Sequence, residues 1–305
     1  MIGGGSTFPL VSRRRLMGLA FGAMHGARRG SGSDVGGSRA YVPGDDPDRI
    51  DWAASARLSS ARSSDEFVVR EYFADEAPRA VVVVDRRARM APAPSWVPWL
   101  HKDRAADAAV ALIAETVAEA RGLLGVLELP DDPGVVRWCP PGTGQRGRTL
   151  VDEPVGATGG EPGVARALSF LALHRRAVPA ASFVFVVSDL LDPPATEAWE
   201  QALDRGWDVV PVIVQDPVWE QSFPAIDGLT VPLVGPSGRP RLVRFRRGES
   251  ERLREAHEAR HRALLEGLRR LGIGPVVLSQ SEPEQVLGTF LAWSVERQAA
   301  WSTAA

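Results

Sequence analysis

Lysine is almost missing: of the 36 basic residues every one except Lys102 is arginine. Arginine runs such as Arg13-Arg14-Arg15 therefore reflect a compositional bias and carry little functional weight singly. Cysteine is as scarce. Cys139 stands alone, which excludes an intrachain disulfide and any cysteine-based metal knuckle, and we expect a reducing, cytoplasmic setting. No apolar run approaches the roughly 20 residues needed to cross a bilayer, so no membrane association is expected. The stretch Leu16 to Met24 behind Ser12-Arg-Arg-Arg15 is short and glycine-interrupted, and we read it as something other than an export signal. Neither GxxxxGK[ST] nor GxGxxG after a strand occurs, so nucleotide binding by this chain is not expected. A nucleophile elbow of the G-x-S-x-G type is also absent. The formal charge of -2 gives no global pull toward nucleic acid.

What is present is a core. With 305 residues, 44% hydrophobic, the chain can bury one large domain or two small ones. Two apolar runs dominate it: Ala80-Val-Val-Val-Val84 closing on Asp85, and Phe183-Val-Phe-Val-Val-Ser188 closing on Asp189. Continuous apolar runs bounded in this way read as parallel strands buried on both faces. In an open α/β sheet the carboxyl ends of the strands border the ligand crevice. Strands lie roughly 4.8 Å apart, so if these two are adjacent their carboxylates repel and need a positive charge between them.

Around these runs strand and helix patterns alternate, which predicts an α/β fold: a doubly wound, mainly parallel sheet with an antiparallel edge strand and a largely irregular N-terminal extension. Strands are expected at 80–85, 125–129, 135–138, 183–188, 208–214 and 275–279. Helices are expected over about 103–123, 161–177, 195–205, 248–271 and 282–297. Asp131-Asp-Pro-Gly134 separates the second and third strands as a turn, marking an antiparallel edge hairpin. The composition divides the chain into a mobile Gly/Ser/Arg-rich arm (1–40), an extension (41–78) and the main domain (79–305). A proline-broken, β-containing insert at 216–245 overhangs the strand ends.

Three motifs carry a resemblance: Arg39-Ala-Tyr-Val-Pro-Gly-Asp-Asp46, Arg49-Ile-Asp-Trp-Ala-Ala-Ser-Ala-Arg57, and Asp216-Pro-Val-Trp-Glu-Gln-Ser-Phe223 following the 208–214 strand. With the strand ending at Asp85, they resemble the bacterial von Willebrand factor A-like family catalogued as domain of unknown function fifty-eight. The resemblance implies a von Willebrand A-type core with a metal-ion-dependent adhesion site at its carboxyl edge, and a working partnership with a MoxR-type AAA ATPase. That site uses an Asp-x-Ser-x-Ser motif, a threonine from a later loop and a further aspartate. Hydroxyl and carboxylate oxygens suit Mg²⁺, a hard cation. Here Asp85 matches the first ligand and Asp189 the last, and Thr143 is the candidate threonine. Arg87 and Arg89 stand where both serines belong.

Guanidinium has five donors and no acceptor, so it cannot ligate a cation. We therefore expect a degenerate site with no cofactor, in which an arginine bridges Asp85 and Asp189 in place of the metal. Mg²⁺ would enter only if the remaining ligands still bind it. Without a catalytic set, the expected role is a non-catalytic protein-interaction adaptor of a MoxR-type AAA ATPase, active in protein maturation or assembly. Trp96, Trp99, Trp219 and Phe223 are the aromatic anchors expected on its docking face. The competing expectation is a divalent-metal-dependent binding protein or hydrolase using Asp85 and Asp189. A third is a nucleic-acid binder working through the arginine-rich helix at 248–271. His257 and His261, four apart among those arginines, are expected on a solvated face.

Overall fold

The computed structural model describes residues 7–12, 25–41, 50–62, 67–75, 77–90, 99–142, 149–155, 163–234 and 240–303. The chain divides into two compact units, one made of Arg13–Ala77, the other of Met1–Ser12 with Pro78–Ala305.

In the smaller unit, β1 (His25–Ala40) and β2 (Val68–Asp75) form an antiparallel ribbon, with α1 (Trp52–Arg62) between them in sequence. Composition predicts a mobile Gly/Ser/Arg-rich arm over 1–40, and within it His25–Ala40 is strand β1. The ribbon's register slips at several points along the Gly/Ser-rich β1, as expected where few side chains fix the pairing. The Ile-Asp-Trp motif has a local purpose. Asp51 Oδ1 accepts the Ala54 amide (3.0 Å) and so caps α1, while Ser55 Oγ accepts the Val68 amide (2.8 Å) and ties the helix to β2.

The larger unit contains, in chain order, β3 (Arg79–Asp85), α2 (Lys102–Glu119), β4 (Leu123–Leu129), β5 (Val135–Gly142), β6 (Val151–Pro154), α3 (Gly163–Leu173), β7 (Phe183–Ser188), α4 (Thr196–Asp204), β8 (Asp208–Val214), β9 (Thr230–Val234), β10 (Pro240–Arg244), α5 (Glu249–Arg270), β11 (Val276–Leu278) and α6 (Pro283–Thr303). Seven strands make one sheet in the order β11-β8-β7-β3-β4-β5-β6, and β9 and β10 make a separate antiparallel ribbon. From β11 to β4 the pairing is parallel, while β5 and β6 add an antiparallel edge. The main domain is thus α/β, as expected.

The expected helix over 103–123 ends four residues early, at Glu119. Arg121 takes a left-handed backbone (φ 52), and a Cβ on Gly122 would lie 2.5 Å from Pro78 O, so only glycine lets the chain turn this tightly into β4.

Side chains of β3 and β7 alternate between two cores. Val81, Val83, Val184 and Val186 pack with residues of α3, α4 and α5 on one face. On the other, Phe185 meets Phe8, from the first described residues of the chain, which also packs tilted against Phe290 and edge-on to Trp293 of α6. Among the described residues no helix is long and apolar enough to cross a membrane.

Candidate functional site at the carboxyl edge of the sheet

The chain begins its sheet at β3, extends it through β4, and then crosses back to β7 on the other side of β3. Strand order reverses there, and such a reversal opens a crevice beyond the strand ends. Val84 pairs with Val187, which sets Asp85 level with Ser188 and places Asp189 one residue beyond. Both carboxylate side chains are fully shielded from solvent.

Each acid has its own cation. Arg87 donates to Asp85 through Nε (2.8 Å to Oδ1) and Nη2 (2.5 Å to Oδ2), a bidentate pair, and Ser188 Oγ adds a third bond at 2.8 Å. Burial alone would raise the Asp85 pKa. The Arg87 bonds and charge, with the Ser188 hydroxyl, outweigh it and hold the carboxyl below its ordinary value. Arg87 is pushed up in turn, first by its bond to Asp85. The guanidinium lies against Gly163 at the start of α3, where a Cβ would come within 2.9 Å of Nη1.

Asp189 receives two cations. Arg89 Nη2 lies 2.8 Å from Oδ1 but makes no well-aligned hydrogen bond, so this contact is chiefly coulombic; Arg89 Nη1 reaches Asp192 Oδ2 at 2.5 Å. Lys102, the lone lysine, sits at the start of α2 with Nζ 3.2 Å from Asp189 Oδ2 and 2.7 Å from Glu220 Oε1. The expected arrangement, one arginine bridging both acids, is corrected to two separate clusters. Five donors in a rigid fork satisfy one carboxylate best side-on, and Lys102 supplies the second charge that Asp189 needs.

Sequence reasoning missed Lys102, Glu220 and Arg166. Lys102 lay hidden because only the fold brings the start of α2 to the end of β7. Arg166, 2% exposed, reaches the carbonyls of Asp132 (3.1 Å) and Pro130 (3.4 Å) from the first turn of α3. Burial and then the neighbouring Arg87 charge lower its pKa.

The Asp-Pro-Val-Trp-Glu-Gln motif is a knot at the end of β8. Asp216 accepts the Val218, Trp219 and Leu100 amides at 2.8, 3.0 and 2.8 Å, and Glu220 accepts the Asp216 amide at 2.9 Å. Gln215 Nε2 bonds Asp189 O at 2.6 Å, while its Oε1 lies 2.8 Å from His261 Nδ1. The two histidines expected on a solvated face are both half-buried: His261 meets Gln215, and His257 Nδ1 lies 2.9 Å from Trp219 O. Burial, then Arg260, lowers the His261 pKa.

Of the expected anchors, Trp99 is 70% exposed beside the knot. Trp219 is half-buried, and Phe223 is 7% exposed, packed edge-on to Trp219 at 5.5 Å and against Phe245 at 5.4 Å. Phe223 is corrected from surface anchor to core, because closing the 216–245 segment onto α5 requires an apolar plug. Trp96 and Thr143 lie outside the described residues. On α5, Glu251, Glu255 and Glu258 intersperse the arginines, and Arg260 turns inward to Glu220 O at 2.8 Å.

Chemically the cluster is saturated. Apart from the Ser188 hydroxyl, the groups facing the carboxylate oxygens are nitrogens that donate and cannot ligate, so these side chains do not fit a hard divalent ion. Among the described residues no group of three or more His, Cys, Asp or Glu is placed to hold a metal.

Uncharacterized protein Rv1480 of Mycobacterium tuberculosis and Uncharacterized protein Mb1516 of Mycobacterium bovis are each 37% identical to this chain over 84 residues. The match covers 28% of this chain and a quarter of the length of each of these curated relatives. Residues 37–264, most of the chain and including the whole carboxyl-edge cluster, match the family described as protein of unknown function DUF58, and the chain belongs to that family.

Proposed function

We propose that this chain is a non-catalytic protein-interaction adaptor, a von Willebrand A-like domain that works in the cytoplasm with a MoxR-type AAA ATPase in protein maturation or assembly. The observation that carries the reading is the neutralisation of both carboxyl-edge acids by the chain's own side chains, Arg87 on Asp85 and Arg89 with Lys102 on Asp189. A pocket filled by fixed cations has no open coordination position for a substrate or an activated water. Recognition then falls to the rim, where Trp99 stands exposed, and to the segment that overhangs it.

The test is affinity purification of the tagged chain from its native cells, followed by reconstitution with any AAA ATPase recovered. The adaptor reading expects a stoichiometric complex on gel filtration that Trp99→Ala weakens. Recovery of no such ATPase would sink it. Calorimetry with Mn²⁺ or Mg²⁺ separates the competing class: micromolar binding by the unaltered chain that vanishes in Asp85→Ala would establish a metal-dependent binder instead.

A further inference from the structure

The β9–β10 ribbon is a second feature on the overhanging segment, and nothing in the carboxyl-edge cluster explains it. Among the described residues neither of its edges pairs with another strand. Phe245 turns both backbone groups toward the paired side, donating to Leu229 O at 2.9 Å and accepting from the Gly228 amide at 2.8 Å. By the two-residue repeat of an antiparallel ladder, Val243 and Arg241 do likewise, and Leu242 and Arg244 present N–H and C=O outward. The strand carrying that open edge is unusual in its side chains. Pro240-Arg-Leu-Val-Arg-Phe-Arg-Arg247 has four arginines and no acid. All four are exposed, and among the described residues none is in an ion pair, although the charge of Arg247 reaches Asp227. Between them Leu242 is 76% exposed, the most exposed large apolar side chain among the described residues, with Leu229 at 55% nearby.

We propose that the open edge of β10 binds an extended, acidic segment of a partner protein by strand addition. The edge supplies the main-chain bonds, the arginines select acidic side chains, and Leu242 takes an apolar residue between them. A membrane surface fits less well, because lipid leaves the free N–H and C=O groups of an open edge without partners. Nucleic acid fits less well too: bases stack on aromatic side chains, and the aromatic that follows this strand, Phe245, is buried. The proposal names the chemistry of the docking surface in the adaptor reading and rests on that reading only for its biological use.

The experiment uses the full chain and a fluorescein-labelled peptide repeating Glu-Val-Val-Glu (the Glu-Val peptide), which sets glutamates opposite Arg241 and Arg244 and valines opposite Leu242 and Val243, with its Lys-Val-Val-Lys counterpart (the Lys-Val peptide), a duplex DNA oligomer and phosphatidylserine vesicles as controls. The expected result is binding of the Glu-Val peptide alone, weakened at least tenfold by Leu242→Pro. That substitution removes an outward N–H and leaves the ribbon's internal bonds in place. Hydrogen exchange on the unaltered chain gives a second readout, with slower exchange at the Leu242 and Arg244 amides when the Glu-Val peptide is added. Arg241→Glu with Arg244→Glu should abolish binding. Equal binding of the Lys-Val peptide, preference for vesicles or DNA, no binding at all, or unchanged exchange at those amides would overturn the proposal. No ATPase is present in this assay, so its failure is distinct from failure of the ATPase partnership.

Discussion

Among the described residues Arg87 is the only cation bonded to Asp85, a carboxylate that solvent cannot reach, and Arg87→Ser removes it. Two guanidinium bonds are lost, at 2.8 and 2.5 Å, while the Ser188 hydroxyl and the backbone amide of residue 87 remain as donors to Asp85. Stripping one partner from a buried pair costs about 3 to 5 kcal/mol, and the two surviving donors with a guanidinium 18% exposed put this case at the low end, about 3 kcal/mol. For a unit of this size about 3 °C of melting temperature follows each kcal/mol, so circular dichroism at neutral pH should show a fall of about 9 °C. Asp85→Asn in the Arg87→Ser background removes the uncompensated charge and should restore most of the loss. Arg87→Ser with Arg89→Ser recreates the hydroxyl positions of a metal site, and millimolar MgCl₂ should then raise the melting temperature of that variant and not of the unaltered chain. At a hundredfold excess over Kd the gain is about 2.7 kcal/mol. A loss under about 1 kcal/mol for Arg87→Ser would show a pair solvated enough to be worth no more than a surface bridge. Failure of Asp85→Asn to rescue would refute the buried-charge argument itself.

The depressed Asp85 pKa means its stabilisation is present above the ordinary value of 3.8 and is lost as pH falls through the folded value, so Asp85→Asn should flatten the acid limb of a urea-midpoint profile. His261 acts in the same direction in a higher window: burial favours its neutral form, so the unfolded chain takes up the proton first and stability falls as pH drops below about 6.5. His261→Gln should reduce that slope, and an unchanged profile would show that His261 does not set it. Phe8, 3% exposed among Phe185, Phe290 and Trp293, should cost about 3 kcal/mol as alanine in urea unfolding, and a loss near zero would show that residues 7–12 do not help hold the larger unit.

The strands were legible because a buried parallel strand has no option but an unbroken apolar run, and 183–188 and 208–214 fall where the runs are. Boundaries set by backbone geometry were not: the early end of α2 depends on Pro78 lying against Gly122, a contact between segments far apart in sequence. Glycine- and serine-rich β1 gave no periodic signal at all, since pairing with β2 and not side-chain pattern makes it a strand. Phe223 was misplaced because an aromatic in a proline-broken loop looks the same whether it faces solvent or plugs a gap.

By itself the sequence determined which charges meet at the edge of this sheet: two acids at strand ends, and arginines where hydroxyls would be needed to ligate a metal. Only the tertiary structure decided how those charges divide. Arg87 and Arg89 take separate acids, and Lys102, Glu220 and Arg166 join them from elements distant in the chain. Coulomb attraction has no sequence range, and the identity of a buried ion's partner depends on which helix ends the fold brings within a few ångströms of it.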